Sequence, residues 1–277
     1  MGRLPPPAVQ QWVLDELAYL IAKVGPEPFT SSRLWFPREG DFPDPWDADV
    51  PSLERLLKRL LGYVGLPDVR VTVAPFRGDS TVDHVSPEGE AQYRHHGAAA
   101  WFGGMNGKLA YFGCAERQLA QAGESLVGVL AHEVAHAWRH VHGLVRDDRD
   151  EEECLTDLST IYLGFGIFTV NNTHRYRTGT LEKGARLYSQ STHSRAGYLS
   201  PEAMSFAFAA NLLARRQTCL QTWRTMRWLE PNQRGYTRAA LRHLAPADKL
   251  WQRIGPHEPP HVDLSGMMAQ GRQEIEE

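Results

Sequence analysis

Three things are scarce in this 277-residue chain: cysteine, long apolar runs, and an excess of charge of either sign. Each scarcity removes a class of protein. Cys114, Cys154 and Cys219 are odd in number and far apart, which fits a reducing compartment better than a disulfide framework. No uninterrupted run approaches the roughly 20 apolar residues of a membrane span, so no span is expected. The first stretch, MGRLPPPAVQQWVLDELAYLIAKVG, is apolar on one face only and lacks a small-residue cleavage site, so it does not read as a signal peptide. A net charge of −3 and a pI near 6.5 give no electrostatic case for nucleic acid or an anionic membrane. The expectation is a soluble, cytoplasmic protein. Its 42% apolar content over this length is enough for a sizeable core in one or two domains.

What is present divides the chain into four parts. Residues 1–25 carry an N-terminal helix, because Val13, Leu14, Leu17, Ile21 and Val24 recur at helical spacing before Gly25-Pro26. Residues 26–170 form the core region. It opens with an irregular proline-rich segment over residues 26–50, as in FPREGDFPDPWDADVP, anchored by Trp35, Phe42 and Trp46. A helix after Pro51 shows Leu53, Leu56, Leu57, Leu60, Leu61 and Val64 on one stripe, and Val69, Val71 and Val73 alternate as in a half-buried strand. Residues 77–96 read as a polar loop. AAAWF at 98–102 and KLAYF at 108–112 are then strand candidates, joined through Asn106-Gly107, two residues that accept positive φ. One long helix is expected from Gly123 to His142 and another from Glu151 to Leu163. Residues 171–255 read as three or four further helices, and 256–277 as a tail.

The stretch AHEVAHAWRHVHGL, residues 131–144, holds His132, His136, His140 and His142, four of the chain's 12 histidines. On a helix, residues i and i+4 share a face about 5–6 Å apart. His132 and His136 can therefore point at one ion, and Glu133 stands beside it as a base for a water held there. The flanks suit a buried helix, since VLAHEVAHAW has no charge other than Glu133 and neither proline nor glycine. A lone buried carboxylate needs a partner. His140, eight residues from His132, lies about 12 Å along the axis and cannot share an ion with it.

Three residues compete to complete the site. His142 has the spacing of the third ligand of the metzincin pattern H-E-x-x-H-x-x-G-x-x-H. That pattern wants glycine at position 139, where this chain has Arg139, and the Ser-Gly-Met at 265–267 lies in the tail. Glu153 lies in RDDRDEEECLTD one helical turn before Asp157, so a carboxylate ligand and a carboxylate able to orient a ligating histidine share a face. Glu152 is the alternative register, with Thr156 as its i+4 partner. Glu153 is the preferred third ligand.

HEVAH followed by ECLTD resembles the gluzincin superfamily of zinc metallopeptidases. The resemblance implies His132, His136 and Glu153 as ligands of Zn2+, Glu133 as general base, and Asp157 as orienter of a ligating histidine. It also implies an α+β, zincin-like core, with a small antiparallel sheet packed on two metal-bearing helices and a helical C-terminal half. An edge strand beside the metal, here AAAWF, would bind extended peptide. His174, Tyr188, His193 and Tyr198 are the candidates for stabilising an oxyanion, with none preferred. More broadly, FPDPWD, the hairpin, HEVAH and TDLSTIYLGFGIFTVN, within residues 35–215, resemble uncharacterised bacterial HExxH-domain proteins. The partner expected is a peptide or protein substrate, in the narrowest case one specific protein, without nucleic acid. The competing expectation is a non-catalytic or latent zinc-binding regulatory or interaction protein. In it the proline-rich segment or the 77–96 loop covers the cleft, or the C-terminal half, with Trp223, Trp228 and Trp251, carries the function.

Overall fold

The computed structural model describes residues 3–76, 99–119, 123–173 and 198–255, together with the backbone of strands at 82–85, 92–95, 175–183 and 186–194. In chain order the elements begin with α1 (Pro7–Val24), α2 (Glu27–Thr30), α3 (Val50–Tyr63), β1 (Arg70–Phe76), β2 (Val82–Val85) and β3 (Gln92–His95). Next come β4 (Ala100–Asn106), β5 (Leu109–Ala115), α4 (Glu116–Leu119), α5 (Glu124–Val141), α6 (Arg149–Tyr162) and α7 (Gly166–Asn172). The remainder is β6 (Arg175–Lys183), β7 (Arg186–Ser194), α8 (Pro201–Ala214), α9 (Cys219–Met226), α10 (Pro231–Leu244) and α11 (Ala247–Ile254). The architecture is mixed α+β. Among the described residues, no helix is long and apolar enough to cross a membrane.

By internal packing the chain divides into two compact units, Ser32–Phe168 and Met1–Ser31 with Thr169–Glu277. The second unit gathers around α8, whose sequence PEAMSFAFAANLLA is apolar on nearly every face and is buried accordingly. Helices α1, α2, α10 and α11 pack on it. Asn211 on α8 donates to the Phe29 carbonyl at 2.7 Å, satisfying a buried amide. The strand pair β6–β7 precedes these helices, so the 171–255 region is not wholly helical as expected. The sequence of 175–194 has few apolar residues, which leaves no period-2 stripe to announce strands.

The Ser32–Phe168 unit is built on a three-stranded sheet of order β1-β5-β4. The expected antiparallel sheet is in fact mixed: β4 and β5 form the antiparallel hairpin, while β1 runs parallel to β5. The hairpin turn also sits one residue later than expected. Asn106 pairs with Leu109, so Gly107 and Lys108 form the loop, and Gly107 alone of them takes positive φ, at 55°. A glycine in the first loop position is the type II′ arrangement. Across the hairpin the Trp101 indole lies against Gly113, where a Cβ would come within 2.0 Å of the ring. Helix α3 packs on β1 and on α5, and α5 packs on both α6 and β4. β4 is thus an edge strand beside α5.

The proline-rich segment is anchored as expected, and its anchors show where it lies. Trp35 stacks on Tyr63 with centroids 3.6 Å apart, and Phe42 meets Tyr63 and Phe168 edge-on. The buried Asp41 carboxylate accepts from Arg33, Arg38 and the Phe36 amide, while Trp46 donates to the Leu119 carbonyl. Trp35 N–H also bonds the Gly164 carbonyl just after α6. The segment therefore packs against α3 and the C-terminal end of α6. Of the 77–96 loop, only the backbone of β2 and β3 lies within the described residues.

Candidate metal centre

Two antiparallel-packed helical turns make the site. Helix α6 starts at Asp148, whose carboxylate accepts the Glu151 N–H at 2.8 Å, and this cap places Glu153, Thr156 and Asp157 on one face. That face meets the HEVAH turn of α5. His132 Nε2 and His136 Nε2 lie 3.0 and 3.2 Å from the same atom, Glu153 Oε2. All three atoms lie within 4.8 Å of one another. Two ligands about 2.1 Å from one tetrahedral ion stand about 3.4 Å apart, so the spacing suits a metal.

The far sides of the rings decide what those three atoms offer. His132 Nδ1–H donates to Asp157 Oδ1 at 2.8 Å, and His136 Nδ1 lies 3.1 Å from Thr156 Oγ. A neutral imidazole with its proton on Nδ1 presents a lone pair at Nε2. Two such lone pairs and a carboxylate oxygen converging on one point need a positive charge between them, a proton or a metal ion. The donor set fits a divalent metal on this ground.

In the metal-free chain a proton on His132 meets that need. Burial drives the His132 pKa down, but hydrogen bonds to Asp157 and Glu153 outweigh it and hold it well above 6.5. Glu153 shows the complement: burial would raise its pKa, and the two imidazoles pull it far below the usual carboxylate range. Glu133 is buried and outside the ligand set. Burial raises its pKa above 4.5, although His132, His136 and a hydrogen bond from the Phe102 backbone pull the other way. Phe102 is on β4, and its ring lies parallel to His136 at 6.4 Å. Cys114, on β5, is pushed up to about 12 by burial and by Glu133.

The residues that sequence reasoning weighed as alternatives have other occupations. Glu152 is held by Arg139, with Nε and Nη2 on its two oxygens at 2.7 and 2.8 Å, and it also accepts the Arg146 N–H at 2.9 Å. It is a buried ion-pair partner. His142 is the cap residue of α5: its Nδ1–H bonds the Trp138 carbonyl at 2.8 Å and its ring packs on Trp138 at 4.4 Å. The helix ends beyond it at Gly143, with φ of 63°, and Leu144 N–H and Gly143 N–H return to the Arg139 and His140 carbonyls. This is a Schellman close placed one turn later than the metzincin pattern requires. His140 is exposed, with its ring edge-on to Phe102 at 6.3 Å.

Sequence reasoning missed the roles of Arg139, Thr156 and the Phe102 amide. Arg139 is three residues past His136, and Thr156 three past Glu153, so helical spacing alone put both near the ligands. Of the oxyanion candidates, the side chains of His174, Tyr188 and His193 fall outside the described residues and Tyr198 is exposed; the Ser-Gly-Met weighed against the metzincin pattern, at 265–267, also lies outside the described residues. The chain matches no protein-family model, no curated protein and no solved structure.

Proposed function

We propose that the chain is a zinc-dependent hydrolase that cleaves peptide bonds, with a gluzincin-like, zincin-type core in the 32–168 unit. The observation that carries this reading is Glu133, a buried carboxylate on the same helical turn as the two imidazoles, outside the ligand set and oriented by the Phe102 amide. Structural zinc sites are closed by a fourth protein ligand, whereas catalytic ones keep a position open. The described residues offer three. A set of two histidines and one carboxylate also suits iron-dependent oxygen chemistry. Glu133 favours hydrolysis, because a base placed there has a water's proton to take.

His132 and His136 would hold the ion through Nε2 and Glu153 through Oε2. Zinc in such a set polarises a carbonyl and brings the pKa of water toward about 7. Glu133 takes the water's proton onto its carboxylate and returns it to the leaving nitrogen. Asp157 supports the positive charge that His132 shares with the ion. β4, the edge strand of the sheet, would offer backbone groups to an extended substrate running past Glu133.

The test compares the zinc-loaded chain with Glu133→Gln on a peptide library. Cleavage by the parent chain, a fall of about 10²–10⁴-fold in the variant and equal zinc in both are expected. A zinc-loaded chain that cleaves neither the library nor itself, or a variant that stays fully active, would overturn the enzyme reading in favour of a zinc-binding regulatory protein.

A further inference from the structure

We infer that Thr156 is a positioning residue of the metal centre: its hydroxyl, directed by the Glu152–Arg139 pair, holds His136 in the tautomer that presents Nε2 to the ion. The inference rests on the reading of His132, His136 and Glu153 as metal ligands.

A hydroxyl has one proton to give and lone pairs to offer. Thr156 Oγ is fully buried between two groups, His136 Nδ1 at 3.1 Å and Glu152 Oε1 at 3.5 Å. Both Glu152 oxygens accept, Oε1 from Arg139 Nε and Oε2 from Arg139 Nη2 and the Arg146 amide, so the carboxylate faces Thr156 as an acceptor. The Thr156 proton therefore goes to Glu152, and its lone pair is left for Nδ1–H of His136. Glu152 cannot do this alone, because its nearer oxygen is 3.9 Å from Nδ1, beyond a hydrogen bond. The hydroxyl is the bridge.

The two ligating histidines are thereby supported differently by consecutive residues of α6. His132 has a carboxylate directly on its ring, at 2.8 Å. His136 has a neutral hydroxyl, and the carboxylate behind it is offset by Arg139, itself anchored on the Leu144 carbonyl at 2.7 Å and Ser159 Oγ at 3.2 Å. Two uncompensated carboxylates behind the rings, added to Glu153, would drain the charge that makes the ion a useful Lewis acid. The arrangement fixes both tautomers while adding one net negative charge rather than two.

The experiment uses the full chain with zinc in competition with a chromophoric chelator, and with cobalt as spectroscopic probe. Thr156→Val keeps the shape and removes the bridge; Thr156→Ser keeps the bridge. The Val variant should bind zinc about 10–100-fold more weakly, with a shifted cobalt absorption band, and the Ser variant should return to within a few-fold of the parent. Should the Val variant not fold, nitrogen NMR of the zinc-loaded parent chain decides, with His136 expected to carry its proton on Nδ1. A Val variant identical to the parent in affinity and spectrum, or His136 protonated on Nε2, overturns the inference. Failure of the underlying reading looks different: the parent binds no zinc, or His132→Ala binds it equally well, and the inference falls with it.

Discussion

The two halves of α5 use the same residue types to opposite ends. Its middle, His132 to His136, turns two imidazoles toward Glu153. Its last turn, Arg139 to His142, turns a guanidinium onto Glu152 and folds an imidazole back on the helix's own Trp138 carbonyl. Glu152 and Glu153 are sequence neighbours with different fates, one neutralised by an arginine and the other facing two imidazole nitrogens. The difference teaches that spacing nominates ligands and the opposing helix selects among them. A carboxylate opposite Arg139 is spent as a structural ion pair, and one opposite two imidazoles is available to a metal.

The comparison breaks most sharply at Arg139. Removing its charge in Arg139→Met leaves the Glu152 carboxylate buried without its main partner, a change that typically costs about 3–5 kcal/mol. Urea unfolding should show this, and the double variant Arg139→Met/Glu152→Met should regain much of it. An Arg139→Met chain as stable as the parent would mean the pair is not the lock described.

Proton competition sharpens the other half. Because the His132 pKa is held well above 6.5 in the metal-free chain, a proton competes with zinc for it to higher pH than at an ordinary histidine. Zinc affinity should therefore climb with pH through a window above 6.5, and Asp157→Asn should move that window down. In the same metal-free chain, the charged His132 pairing stabilises the fold fully below about 6.5 and is lost as pH rises through the higher folded value. A midpoint at or below 6.5 in the zinc titration would contradict the Asp157 and Glu153 pairing.

Smaller effects follow at the edges. His142→Ala loses one hydrogen bond and a ring contact at an exposed helix end, which should lower stability by no more than about 1 kcal/mol. A fall well beyond that would assign His142 more than a capping role. Behind the motif, Cys114 with its pKa near 12 has a thiolate fraction of about 10⁻⁴ at pH 8, whereas Cys219 is exposed. Native alkylation should label Cys219 and spare Cys114 until denaturant is added; early labelling of Cys114 would show that the interior behind Glu133 is wet.

Much of this was legible in the chain because it is local. The periodicities around Leu17, Leu57 and His132 placed α1, α3 and α5 within a residue or two, and the Glu153–Asp157 spacing paired two residues that the structure brings to one imidazole. What failed was non-local or cooperative. The parallel pairing of β1 with β5 joins segments about forty residues apart, and nothing in RVTVAPF names its partner. The turn slipped by one because Asn106 and Gly107 both tolerate positive φ, and only the ladder register decides which one uses it. Arg139 reads in the chain only as the residue standing where the metzincin pattern wants glycine, since its partner Glu152 lies on another element.

The central assignment is most directly tested by the zinc content of three full-length chains purified without added metal: the parent, Glu153→Ala and His142→Ala. About one zinc per chain in the parent and in His142→Ala, with loss in Glu153→Ala, is the predicted result. Zinc retained by Glu153→Ala and lost from His142→Ala would contradict it.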